Sequence, residues 1–408
     1  MNKVLDCIVV GGGASGFFFA INYAEQHPEH SVVILEKSKK VLQKVKVSGG
    51  GRCNVTHAEF VPRELSTHYP RGERELIGPF HQFMTGDMMG WLEERGVPLK
   101  IEEDGRIFPT TDSSQTIIDC FLHEIKKNNI EVLTSQVATT FNYANQLWEI
   151  NTKTSQFKAK QLVISTGSSS KIWDELERLG HSLISPIPSL FTFNIDYSSL
   201  TQLQGLSLPT HIRLYKNVSD KQCLLESSGA TLITHWGLSG PCVLKLSAWG
   251  AKILNDLNYD CVISVNWLPE LNLNDIINKL HQQKTDSPKK QIDKQMHLDL
   301  PKRFWLFILY EAQINPTKKW ADVSKIDIQK ISQLLQEFKL KVNGKSTFKD
   351  EFVTAGGVDL KEIDFKNFSS KKLPQLKIIG EALNIDAITG GFNFQNAWTS
   401  AFIAAKND

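Results

Sequence analysis

A Gly-x-Gly-x-x-Gly run, Gly11-x-Gly13-x-x-Gly16, sits between two apolar stretches of opposite character. Asp6–Val10 before it is short and β-branched, which predicts a strand. Phe17–Glu25 after it is longer and apolar, which predicts a helix ending near Pro28. Ser31–Leu35 predicts a second strand, and it closes on Glu36, twenty residues past Gly16. This is the order of a βαβ unit that binds a dinucleotide. Gly11 permits the tight turn, Gly13 lets the backbone approach a pyrophosphate, and Gly16 lets helix and strand pack closely. The helix start offers unpaired N–H groups and the positive end of its dipole to the phosphates. Glu36 is placed to accept from ribose hydroxyls. The run alone does not separate NAD from FAD.

Two further glycine clusters bear on that choice. Lys46-Val47-Ser48-Gly49-Gly50-Gly51-Arg52-Cys53-Asn54 strings three glycines together, a costly segment to order unless the backbone passes very close to something flat or charged. Arg52 and Asn54 add donors there, and Lys44 and Lys46 add charge. Cys53 has no partner cysteine nearby; packing beside a cofactor and a redox thiol are both open readings. Near the other end, Leu376–Ile379 predicts a strand closing on Gly380-Glu381. Asn384–Asn393 then presents Gly390-Gly391 at the start of a last helix, predicted over Gln395–Ala405. A second helix start aimed at the cofactor would stabilise negative charge on a reduced flavin ring, which favours FAD over a nicotinamide. Asp386 reads either as a polar contact to the cofactor or as a turn cap.

At 408 residues the chain is long enough for two or three domains. A net charge of +2 gives no electrostatic case for nucleic acid or an anionic membrane as main partner. The longest apolar run, Phe304–Tyr310, is far short of the roughly 20 residues a membrane helix needs. The opening residues carry no signal-peptide pattern, and the six cysteines show no CxxC spacing. These features predict a cytoplasmic protein with reduced cysteines and no metal site. From Pro186 short alternating segments suggest a β-rich module, and Leu271–Phe338 turns polar and helical. Its Lys/Asp/Gln-rich middle, Gln282–Gln295, reads as a solvated face or as a binding patch.

Taken together, these motifs resemble the BaiN-like (YhiN-type) NAD(P)/FAD-dependent oxidoreductases, a family that includes aminoacetone oxidase-like flavoproteins. The likeness rests on Gly11–Gly16, Glu36-Lys37, Ser48–Asn54, Gly105–Pro109, Thr166-Gly167, Gly237–Pro241, Thr354–Val358, Gly380-Glu381 and Gly390–Asn393. It implies an α/β fold. A Rossmann-type FAD-binding domain would be built from both chain termini (1–188 and 345–408), with an inserted β-barrel (189–268 with 335–344) and a small helical module (269–334). Carried over, Gly11, Gly13, Ala14, Ser15, Gly16, Glu36 and Lys37 would hold the ADP half of FAD. Lys44, Gly49, Gly50, Arg52, Cys53 and Asn54 would follow the pyrophosphate, ribityl chain and ring. Val137, on a short strand, would touch the adenine side. Thr166, Gly167, Gly380, Glu381, Asp386, Gly391, Phe392 and Asn393 would complete the site. The sequence departs from family habit at Ser168–Trp173 and Asn367–Lys371, both on the expected ring or substrate side.

The resemblance implies hydride transfer through non-covalently bound FAD. The donor would be NADH, NADPH or a small organic molecule, in a cleft between the FAD domain and the insert. No second fingerprint follows a strand, so a separate NAD(P)H domain is not expected. No acid–base pair declares itself; Arg106 and His235 are the candidates. An RNA-modifying flavoprotein and a flavin-binding protein without turnover stand as alternatives.

Overall fold

The computed structural model describes residues 4–294, 298–346 and 353–406. Gln295 and residues 347–352 of the expected C-terminal segment 345–408 lie outside the described residues. The described chain divides into two units, residues 4–189 with 353–406 and residues 190–346.

In the first unit, Val4–Val10 pairs in parallel with Val32–Leu35 on one side and Gln156–Ile164 on the other. Glu131–Leu133 extends the sheet beyond Val32–Leu35, and Leu376–Ile378 extends it beyond Gln156–Ile164. Cys7–Val10 and Val32–Leu35 are buried throughout, as continuous apolar runs in a sheet covered on both faces should be. The helix Ala14–Gln26 carries Phe17, Phe18 and Phe19 in succession, all fully buried. Three consecutive buried residues point three ways around a helix, so it must be enclosed. The C-terminal helix Phe392–Lys406 closes the remaining side, with Trp398 5.4 Å from the Phe18 ring, edge to face. Each such ring contributes about 1.5–3 kcal/mol by leaving water. Chain start and chain end therefore share one core.

The hairpin Ala138–Ala144 and Leu147–Thr152 runs antiparallel onto Gln156–Ile164, making a three-strand meander. Two short helices, Glu73–Phe80 and Thr85–Glu93, lie earlier in the chain, with Pro79 at the end of the first. Proline restricts the residue before it and ends helices nearby.

The second unit holds a seven-strand antiparallel sheet. Its order is Phe338–Val342, Cys261–Asn266, Ser207–Tyr215, Leu225–Thr234, Gly237–Ser239, Thr192–Asn194 and Gly344–Ser346. Only Asn343 separates the first and last of these strands. Helices Leu273–Asp286, Lys302–Glu311 and Lys325–Gln336 share one core with this sheet. Among the described residues no helix is long and apolar enough to cross a membrane.

Candidate functional site

The parallel register places four motifs side by side. Val10 lies opposite Leu35 and Ile164, and Ile164 lies opposite Ile378. The residues that follow these strand ends are Gly11–Gly16, Glu36, Ser165–Gly167 and Gly380-Glu381. Ligands of open α/β sheets bind outside such carboxyl ends.

At the turn, the Ser165 hydroxyl lies 3.0 Å from the carbonyls of both Val10 and Gly11. A Cβ on Gly16 would stand 2.1 Å from the Gly11 carbonyl oxygen, so helix and strand touch there as the fingerprint requires. A Cβ on Gly13 would meet nothing within 4 Å. The first position is closed by packing, and the second opens onto space at a helix start with no acidic residue in its first turn. The Glu36 carboxylate accepts from the backbone N–H of Gly12 at 2.8 Å and of Ser38 at 2.7 Å. Val137 precedes the strand Ala138–Ala144 rather than lying on it. It is nonetheless beside the acid, because Gln136 N donates to the Glu36 carbonyl at 2.9 Å. Lys37 is exposed.

The second glycine cluster is tied to the first: Leu42 N donates to the Gly12 carbonyl at 2.8 Å. Gln43–Gly51 is helical only at its start, breaking at Ser48. Gly49, Gly50, Gly51 and Cys53 then all take positive φ, and Gly50 and Gly51 face open space. Cys53 is fully buried, and that burial pushes its thiol up to about 12. A buried thiol so hard to ionise favours the packing reading over the redox one. The Arg52 guanidinium lies 3.9 Å above the Phe108 ring and pairs with Glu102 and Asp112, so it faces its own sheet. Lys44 pairs with Glu381, and both converge on Gly167.

At the C-terminal cluster, Gly380 approaches the Ser15 hydroxyl so closely that a Cβ would fall 2.8 Å from it. Asn393 fastens the loop by donating to and accepting from the backbone of Ala387. Asp386 is fully buried and paired with Arg71, and it accepts from Ser189 at 2.7 Å. Burial pushes its carboxyl up and Arg71 opposes this. Its oxygens are engaged by protein, which assigns Asp386 to the loop's anchorage.

One residue here went unsignalled. Gly105 and Gly390 come from two separate motifs, yet a Cβ on either would strike the His57 imidazole, at 2.6 Å on Nε2 and 3.2 Å on Nδ1. His57 Nδ1 lies 3.2 Å from the Gly390 carbonyl, and the ring stands 4.6 Å from that of Phe392. His68 stacks on the same Phe392 ring at 4.2 Å. Burial pushes the His57 pKa down, with the Gly390 carbonyl opposing. The glycines were legible; the side chain they accommodate was not.

Three buried polar atoms test whether these residues suit FAD. Asn54 Oδ1, Thr166 Oγ1 and Asn396 Oδ1 have no hydrogen-bond partner among the described residues. They belong to the second glycine loop, the turn after Gln156–Ile164 and the C-terminal helix, three of the segments drawn together here. Buried polar groups are rarely left unpaired, and a polar cofactor along the open glycines would give them partners. The residues fit the group.

Of the two remaining candidates, Arg106 is the strand partner of His57 and His235 belongs to the second unit. Arg106 pairs with Asp104 at 2.7 Å and Glu102 at 3.4 Å. His235 is exposed in the second unit, on a depression of about 390 Å³ that also includes Trp236 and Asp196. No group of residues suited to a metal ion occurs among the described residues.

Comparison with known proteins bears on family and fold. The profile of the HI0933-like protein Rossmann domain spans residues 5–407. A ribosomal RNA dihydrouridine synthase of Haemophilus influenzae is 28% identical, covering 99% of this chain and 98% of its own. The Escherichia coli enzyme of the same name is 27% identical over 98% and 97%. A 3-dehydro-bile acid delta(4,6)-reductase of Clostridium scindens is 22% identical over 98% and 97%. Among solved structures, the 3-ketosteroid-delta4-(5alpha)-dehydrogenase of Rhodococcus jostii superposes with a TM-score of 0.52 at 11% identity, covering 99% and 97%. That likeness concerns the fold alone.

Proposed function

We propose, from the premise that the chain belongs to the HI0933-like family of FAD-dependent oxidoreductases, that it reduces a carbon–carbon double bond conjugated to a carbonyl, and that this bond is C5=C6 of a uracil in ribosomal RNA. The observation that carries the reading is the end-to-end match to two ribosomal RNA dihydrouridine synthases. The bile acid reductase favours the same bond chemistry on another skeleton, a cyclic enone. A net charge of +2 argued against nucleic acid on composition alone. That argument weighs less once relatives of full length carry RNA in their names.

Bound FAD would supply the two-electron hydride chemistry, with NADPH or NADH as source. Gly11–Gly16 and Glu36 would hold its ADP half. Lys44, Gly49, Gly50, Asn54, Thr166, Gly167 and Asn396 would line the pyrophosphate and ribityl path, and Gly391 and Phe392 the ring end. Reducing the bond places a hydride on the carbon β to the carbonyl and a proton on the α carbon. His57, between Gly105 and Gly390, is the residue we assign to relay that proton, taking it from solvent as an imidazolium and passing it to the α carbon. The insert reads as a barrel closed through residues 338–346, whose two halves serve both ends of the strand order.

The test is reduction of an unmodified ribosomal RNA transcript by purified holoprotein with NADPH. Mass spectrometry should show two hydrogens gained at a uridine, and His57→Gln should lower the rate while keeping bound FAD. Reduction of a steroid enone with RNA untouched would replace the RNA reading by the small-molecule one.

A further inference from the structure

The whole-chain charge conceals an asymmetry. Residues 190–346 carry 19 Lys and Arg against 14 Asp and Glu, which leaves 27 against 30 for the rest. Part of that excess is gathered by backbone pairing. Ile292 N donates to the Lys318 carbonyl at 2.9 Å, Trp320 N to the Lys290 carbonyl at 3.0 Å, and Ala321 N to the Pro288 carbonyl at 2.9 Å. Gln291 and Lys319 form an antiparallel bridge between the same segments. Residues 288–292 and 318–321 therefore lie side by side, with Lys319 opposite Gln291, so that Lys289-Lys290 and Lys318-Lys319 are carried on adjoining segments. Ile292 and Trp320 are fully buried, and Trp305 Nε1 donates to the Ile292 carbonyl at 2.8 Å. The ledge is thus anchored from beneath. Nearby acids are partly committed: Asp327 takes Lys318 at 2.7 Å and Asp293 takes Lys294 at 3.3 Å, while Asp286 and Asp322 remain exposed. Lys289 and Lys319 are exposed and have no ion-pair partner among the described residues.

We propose that the lysine ledge formed by residues 288–292 and 318–321 docks the phosphate backbone of the RNA substrate. The inference rests on the RNA reading above and extends it to a surface. Lysines gathered on adjoining segments repel one another, and a polyanion relieves that repulsion. Phosphate contacts position a nucleic acid without reading its sequence. This division suits an enzyme whose base selection lies elsewhere.

The experiment uses FAD-loaded full-length protein and a fluorescent ribosomal RNA fragment, with anisotropy followed across salt concentrations. Three proteins are compared: wild type, Lys289→Gln/Lys319→Gln, and a control, Lys126→Gln/Lys153→Gln. Each lost phosphate contact lowers the slope of log affinity against log salt by about 0.7–0.9. The ledge variant should lose about 1.5 of slope, the control nothing, and flavin reduction by NADPH should be equal in all three. A ledge variant with wild-type slope, or a control that falls equally, overturns the proposal even if wild type reduces RNA. Ledge-dependent binding without RNA reduction would uphold the ledge and sink the catalytic reading instead. Failure of wild type to bind RNA, with ledge-dependent binding to phosphatidylserine vesicles, would replace RNA by a membrane surface and overturn the proposal.

Discussion

Gly13→Ala separates what the fingerprint does for the fold from what it does for the cofactor. Gly13 has φ −94° and ψ −167°, an extended conformation open to alanine, and the added methyl would meet nothing within 4 Å. The apoprotein should therefore fold at least as well as wild type, gaining about 0.4–1 kcal/mol from a stiffer unfolded chain. With FAD the same methyl stands where the backbone must approach the pyrophosphate. Losing one N–H to a charged acceptor costs about 1.5–3 kcal/mol, roughly a ten- to hundredfold loss of affinity. Gly16→Ala should behave oppositely. Its methyl would lie 2.1 Å from the Gly11 carbonyl and 2.6 Å from the Ser165 hydroxyl, so the apoprotein itself should lose about 1–3 kcal/mol or more. The assay is quenching of FAD fluorescence on titration with apoprotein, beside thermal melts with and without FAD. If Gly13→Ala bound FAD as tightly as wild type, the open space at Gly13 would not be the pyrophosphate site and the placement would fail.

Other consequences follow from single contacts. Arg71→Leu strands the buried Asp386 carboxylate and should cost about 3–5 kcal/mol in urea unfolding, with FAD affinity in the folded protein kept. Loss of FAD at unchanged stability would instead return Asp386 to the cofactor. Cys53 should resist iodoacetamide at pH 8 in the native protein and react after unfolding, because burial holds its thiol near 12; native labelling would contradict that placement. Glu362 is held at about 2: burial opposes this, but Lys372, Ser182 and His181 outweigh it. Its folded pKa is depressed, so its stabilisation is fully present above 4.5 and is lost as pH falls toward 2. Glu362→Gln should flatten acid unfolding in that window, and an unaltered acid limb would refute the contribution.

The strand–turn–helix unit was legible because each of its geometric requirements falls on one residue type at a fixed spacing. Gly11, Gly13, Gly16 and Glu36 sit where the turn, the open approach, the packing contact and the strand end place them. The return of the C-terminus was legible through Leu376–Ile379 and its Gly-Glu ending. What escaped depended on contacts distant in sequence. His57 acquires meaning only when Gly105 and Gly390 close on it. Asp386 could not be read as an anchor without Arg71, 315 residues away. Arg52 looked like a phosphate donor until Glu102 and Asp112 claimed it. Lys289 and Lys319 lie in a charge run that resembles any solvated stretch, and only the pairing of their segments makes a surface of them.

The most direct test of the account is an anaerobic single turnover. Holoprotein is reduced with one equivalent of NADPH and mixed with unmodified ribosomal RNA, and flavin absorbance is followed alongside the dihydrouridine formed. The account predicts that the visible band returns in step with dihydrouridine, one for each flavin reoxidised. A flavin that stays reduced in the presence of RNA, yet reoxidises with a steroid enone or with oxygen, would contradict it.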